Sequence, residues 1–313
     1  MAPVAIEEGI IQKFIKNDHV RWWNKPNLRT LYLLLVPFCL FIESTSGFDS
    51  SMMNGMQALN YWQEYFNHPK GAMLGLLVAC YNVGAVSSIP FVAIVTDHVG
   101  RRWSIVFGSV IMIIGAIMQG LARNSQYCPL MAVSTLTAVV AMFIFARIFL
   151  GHGIVYAIIS GAALLGELGH PKERQFLGSM FNAFFGVGAV LGAGIVVRTI
   201  EIKSDWSWRL PSILQCLPSL IQVGFAFTVP ESPRWLVSKD RSEEALAILI
   251  KYHAEGDASN ELPHLELAEI RKALEIENDS RKRGWAELFQ TQGMRRRSLV
   301  SGFLGLFVQF SGL

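Results

Sequence analysis

Apolar residues in this chain fall in long unbroken blocks divided by short polar segments. The blocks run over residues 31–54, 72–95, 104–122, 137–160, 176–197 and 209–229, and a seventh begins at 299 and continues to 313. A helix that crosses the hydrocarbon core of a bilayer needs about 20 consecutive apolar residues. Inside lipid the backbone must satisfy its own hydrogen bonds, so spanning segments are helices or closed barrels. Blocks of this length, without the alternation of barrel strands, predict helices. The pattern predicts an all-α integral membrane protein with six spans and part of a seventh.

The polar segments set the expected organisation: residues 1–29 as an N-terminal segment, 30–230 as the six-helix part, 231–298 as a charged linker, and 299–313 as the partial seventh helix. Met1–Arg29 lacks the apolar core and cleavage site of a signal peptide, so the first span itself directs insertion. Within the linker, Glu243–Lys251 and Leu265–Glu277 carry helical patterns, the second with Leu267, Ile270, Leu274 and Ile276 on one stripe. These read either as short amphipathic helices or as solvated linker.

Charge adds orientation. Arg21, Lys25 and Arg29 precede the first span, Arg101 and Arg102 follow the second, and Lys172 and Arg174 follow the fourth. Arg234, Lys239, Arg241 and Arg295–Arg297 follow the sixth, whereas the other side carries only Lys70, Arg123, Arg198 and Lys203. Basic loops stay in the cytoplasm, which predicts a cytoplasmic N-terminus. Trp62, Tyr65, Trp206 and Trp208 lie near span ends and predict an aromatic belt. The stretch from Arg123 to Arg147 is too long for one span, and Cys128–Val139 reads as an insertion in the outer loop or an error in the gene model.

Composition excludes several classes. The chain has 313 residues, 52% hydrophobic and 16% charged, against about 25% charged in soluble domains. A net charge of +3 gives no sign of nucleic-acid binding. Cys39, Cys80, Cys128 and Cys216 stand singly, which supports neither a zinc site nor a disulfide framework. No metal cluster, phosphate loop or nucleophile–base pair points to an enzyme or a bound cofactor.

Ionisable residues inside the apolar blocks carry the candidate chemistry. A charge at the bilayer centre costs about 2.5–3.5 kcal/mol on insertion scales and is expected to face the bundle interior and find a partner. Asp49 in span one and Arg147 in span four are the natural couple. Glu43 lies six residues before Asp49, on a different helical face, and either lines a cavity or serves structure. His152 stands between Gly151 and Gly153, where helices approach closely, and reads as a packed, hydrogen-bonded residue or a proton relay. Three polar motifs follow the even-numbered spans: Asp97-His-Val-Gly100-Arg101-Arg102, Glu167 with Arg174, and Pro230-Glu231-Ser232-Pro233-Arg234-Trp235-Leu236.

Those three motifs, with Arg147…Gly151…Gly153 and Gln309-Phe-Ser-Gly312, resemble the sugar porter branch of the major facilitator superfamily over about residues 30 to 313. Gly47–Gly55 looks most like the fungal lactose-permease and hexose-transporter members. The resemblance implies twelve helices in two halves, each built of inverted three-helix repeats. This chain then supplies the N-terminal half and the start of span seven, and alone lacks alternating access. It further implies a proton bound at Asp49 and modulated by Arg147, and sugar contacts from Gln309. Another sugar contact falls at Asn182, eight residues after Arg174, where the family usually has Gln. The inner gate of ion pairs is implied to involve Asp97, Arg101, Arg102, Glu167, Arg174, Glu231 and Arg234. The function implied is proton-coupled symport of a hexose or lactose-like disaccharide, with the proton as coupling ion and no other cofactor. A passive sugar uniporter or metabolite efflux carrier stays open, as does a truncated non-transporting product, sensor or interaction partner. The expected partners are a sugar and the lipid bilayer, without nucleic acid and with oligomeric state unknown, and the expected membrane is the plasma membrane.

Overall fold

A computed structural model describes residues 20–122, 135–281 and 292–310. Among the described residues, five helices are long and apolar enough to cross a membrane: Pro26–Met56, Ala72–Val99, Arg101–Gly120, Val139–Leu168 and Arg174–Thr199. These are spans one to five. Pro26 opens span one at a position where a missing N–H costs nothing. About three turns further on, around Pro37, span one widens into a π-helical turn at Val36–Leu40, which absorbs the missing donor.

The expected single sixth span is two consecutive helices, Trp206–Leu214 and Cys216–Phe225. Pro218 explains the break: it has no N–H for the Leu214 carbonyl, and its ring crowds that oxygen. The helix expected to start at 299 starts earlier, at Gln292, and takes in Arg295–Arg297. Residues 123–134, most of the expected insertion, lie outside the described residues.

Span one packs along span five, span two along span four, and span three against spans four and six. Exchanging the first three spans with the second three carries the one–five contact onto the four–two contact, as inverted repeats require. Both contacts depend on glycine. A Cβ on Gly188 would run into the backbone of Ser44, and one on Gly151 into the backbone of Tyr81. Spans two and five are otherwise the least buried. They expose Val83, Val86 and Ile89 on one, and Val187, Val190 and Leu191 on the other.

The segment after span six folds into the helices Pro233–Ser238, Ser242–His253 and Glu261–Arg281. Leu236, Val237, Ala245, Leu249 and Leu267 form their own small core. Tyr252 joins the main cluster beside Leu28 and Leu31 of span one, so these helices dock on one end of the bundle.

At the opposite end the aromatic residues correct an expectation. Trp62 and Trp208 are fully buried and belong to a core cluster with Phe66 and Phe143. Of the four expected belt residues, Trp206 alone presents a large exposed face. Nearness to a span end does not distinguish a ring that meets lipid from one wedged between helices.

Candidate functional site

Asp49 and Arg147 meet across spans one and four. Arg147 Nη1 lies 2.5 Å from Asp49 Oδ1, with side chains 3% and 8% exposed. The guanidinium also sits over the Tyr81 ring of span two, 5.0 Å from its centroid, and Arg147 Nε is buried without a hydrogen-bond partner among the described residues. In so dry a place each charge depends on the other. A proton added to Asp49 removes the counter-charge of Arg147, so protonation and rearrangement of this pair are physically linked.

Glu43, Ser46, Ser50 and Asn54 recur at spacings of three and four, and all are at least partly exposed on one face of span one. A polar stripe of this kind is unfavourable against lipid and suits a water-lined cavity. Asn182 is exposed on span five, and neither it nor Glu43 hydrogen-bonds to the Asp49–Arg147 pair. Gln309 stands on the helix Gln292–Phe310, with its side chain outside the described set.

His152 is satisfied locally. Its Nδ1 lies 3.0 Å from Ser87 Oγ and its Nε2 3.4 Å from the Tyr156 hydroxyl. Ser87 in turn donates to the Gly84 carbonyl at 2.6 Å. The chain of donors runs Tyr156 to His152 to Ser87 and ends on the Gly84 carbonyl without including Asp49, which favours the packed reading.

Arg209 went unnoticed in the sequence because it opens the sixth apolar block. It is buried, donates to the Tyr65 hydroxyl and the Ala122 carbonyl, each at 3.1 Å, and lies 4.8 Å from the Trp208 ring centroid.

At the linker end the motif residues converge on the start of span three. Glu231 Oε1 accepts from the backbone N–H groups of Arg101 at 3.0 Å, Arg102 at 3.1 Å and Ser232 at 2.9 Å. It therefore caps the helix that Arg101 begins. Gly100, at φ +99°, makes the turn, and a Cβ there would stand 2.6 Å from the Glu231 carboxylate. Burial pushes the Glu231 carboxyl up from its ordinary value, and the three N–H donors with Arg102 offset only part of that. Ser232 Oγ caps the next helix through Trp235 N–H at 3.1 Å and also donates to Glu167. Glu167 lies 3.4 Å from Arg101 Nε, and Arg101 lies 3.9 Å from Asp97.

Two motif residues stand apart from this cluster. Arg234 turns to Glu277 of the linker at 2.8 Å. Arg174 is exposed and forms no ion pair among the described residues. Glu167 and Arg174 therefore do not pair within this half. Replacing Glu231 by alanine strips three N–H groups of their acceptor and is expected to cost about 1–3 kcal/mol. Glu231→Gln keeps an acceptor and costs less. Thermal unfolding of the two variants against the parent checks this.

The sugar (and other) transporter family profile matches residues 35–313. The chain belongs to this family. As a sugar porter of the major facilitator superfamily it is a multi-pass membrane protein and not an enzyme. A high-affinity glucose transporter of Kluyveromyces lactis is 28% identical over 306 residues, 98% of this chain and 52% of that protein. Probable inositol transporter 2 of Arabidopsis thaliana is 27% identical over 98% of this chain and 49% of its own length. The sugar porter chain thus spans about half the length of the curated relatives it matches. The proton:xylose symporter XylE bound to 6-bromo-6-deoxy-D-glucose superposes with a TM-score of 0.68 at 22% identity, covering 86% of this chain and 57% of that one. The partially occluded inward-open xylose transporter XylE from E. coli gives a TM-score of 0.63 over 79% and 59%. The fold is the N-terminal six-helix half of that superfamily.

Proposed function

We propose that this chain is the N-terminal half of a proton-coupled sugar transporter that works by alternating access against a second six-helix half. The observation that carries the reading is the buried Asp49–Arg147 pair inside a sugar-porter fold. Asp49 takes and releases the proton, and Arg147 is its counter-charge between transfers. Asn182 and Gln309 contact the sugar, and the polar stripe from Glu43 to Asn54 lines its path. The exposed apolar faces of spans two and five receive the second half. Asp97, Arg101, Arg102, Glu167 and Glu231 brace the inner end of this half, Arg234 ties it to the linker through Glu277, and Arg174 reaches toward the other half. The N-terminus, residues 1–29, and the linker, residues 231–298, face the cytoplasm of a plasma membrane. Glucose transporters among the relatives favour a hexose over a disaccharide as the substrate.

The test is uptake of labelled glucose, and separately of lactose, by cells stripped of their own sugar carriers and expressing this chain together with its second six-helix half. Symport predicts accumulation that collapses when an uncoupler is added or external pH is raised. Entry indifferent to both is the behaviour of a passive carrier. No entry of either sugar favours the non-transporting reading and defeats the proposal.

A further inference from the structure

His253 ends the linker helix Ser242–His253, and Glu266 lies on the next, Glu261–Arg281; each is 4% exposed. Glu266 Oε2 lies 2.8 Å from His253 Nδ1, and the carbonyl of Leu168 lies 3.2 Å from Nε2. Leu168 is the last residue of span four's helix. Both neighbours of the imidazole are acceptors. A neutral imidazole has one N–H and one lone pair, so it cannot donate to an ionised carboxylate and a carbonyl at once. The two contacts together require one added hydrogen, as imidazolium beside carboxylate or as neutral imidazole beside carboxylic acid. Without it, a nitrogen lone pair faces a charged oxygen in a buried site.

Two residues along, Glu255 binds the start of span one. Its carboxylate accepts from Asn27 N–H at 2.9 Å and Leu28 N–H at 3.0 Å. One short stretch of linker thus places a hydrogen-donating imidazole on the C-terminal end of span four and an anion on the N-terminal end of span one. Both match the helix dipoles. We propose that His253 and Glu266 form a proton-dependent latch that holds the linker against spans one and four and lets go as the pH on that face rises.

The surroundings bear on the latch from several elements. Arg174, at the start of span five, opposes a charge on His253. The buried His170 ring stands edge-on at 5.3 Å. Its Nδ1 lies 3.3 Å from both the backbone nitrogen of Lys172 and Glu173 Oε2, contacts that do not involve His253. Tyr32 of span one donates to Glu173 at 3.4 Å. Glu266 Oε1 is buried without a hydrogen-bond partner among the described residues. A cleft of about 310 Å³ lined by Glu167, Arg174, Arg234, Glu266 and Glu269 opens beside the pair and gives the proton a route to solvent.

Burial by itself would pull the His253 imidazole down. The charge and hydrogen bond of Glu266, with the bond to Leu168, outweigh burial and hold it above its ordinary value. A group whose value is raised in the latched state contributes in full below the unlatched value, about 6.5 for histidine. That contribution is lost as pH climbs through the latched value. Between the two, opening grows about tenfold per pH unit, because each opening releases one proton.

Hydrogen exchange of the linker amides in the full chain in lipid nanodiscs, corrected for intrinsic rates, reads the latch between pH 6 and 8.5. The parent is expected to lose protection as pH rises over that range, with a slope approaching tenfold per pH unit between the unlatched and latched values. Glu266→Gln offers its amide N–H to Nδ1 with no added proton, so its protection stays high and flat. His253→Gln cannot donate to both acceptors, so its protection is low and flat. A parent with pH-independent protection overturns the latch. So does Glu266→Gln or His253→Gln following the parent's pH profile.

Discussion

Replacing Asp49 by asparagine is expected to abolish uphill sugar accumulation while leaving exchange of sugar across the membrane. Asparagine keeps an oxygen acceptor for Arg147 but neither the charge nor the exchangeable proton. With no proton to couple, the sugar gradient is the only driving force, and the accumulation ratio falls to unity. The fold is expected to suffer as well. Arg147 Nη1 lies 2.5 Å from Asp49 Oδ1 in the buried pair, and breaking a buried pair from one side typically costs about 3–5 kcal/mol. Removing both charges, with Asp49→Asn and Arg147→Gln together, is expected to cost less than the sum of the single changes. Counterflow exchange separates transport from coupling, and thermal unfolding of the three variants completes the cycle. Accumulation against a gradient by Asp49→Asn would show that another group carries the proton.

The second large effect falls on the helix contact. Gly188→Val is expected to prevent spans one and five from packing. A Cβ on Gly188 would meet the Ser44 carbonyl carbon and Cα at 2.6 Å. Backbone atoms of a packed helix cannot turn aside as a side chain can, so the spans must separate along their length. Overpacking in a core usually costs about 1–3 kcal/mol, and this position is expected to lie at or beyond the upper end. Gly186, two residues earlier on the same helix, has nothing within 4 Å of a built Cβ. Gly186→Val is expected to extract from membranes as a single species that unfolds close to the parent temperature. Equal stability of the two variants would contradict the packing described.

Much of this was legible in the sequence because lipid imposes few solutions. Long apolar blocks gave the first five spans, and two opposite charges stranded inside such blocks identified Asp49 and Arg147 as partners before any coordinates. The motif DHVGRR was legible because a tight turn needs Gly100, whose φ is +99°.

Other features depend on three-dimensional neighbours. Trp62 and Trp208 near span ends look the same in sequence whether they meet lipid or each other's cluster. Pro218 announced a weak point in span six, yet a long apolar block masked it. Glu231 was visible as a motif carboxylate, but its role as the cap of span three depends on a return of the chain 130 residues later. His253 and Glu266 are 13 residues apart on different helices and carry no spacing signal. Only the hairpin of the linker brings them to the end of span four.

The most direct test of the account is proton movement during sugar entry into proteoliposomes holding the transporter, with the membrane potential clamped at zero and a pH dye outside. The account predicts that adding sugar raises the external pH in proportion to the sugar that enters, and that Asp49→Asn abolishes this change. Sugar entering at the normal rate with no change of external pH would contradict it.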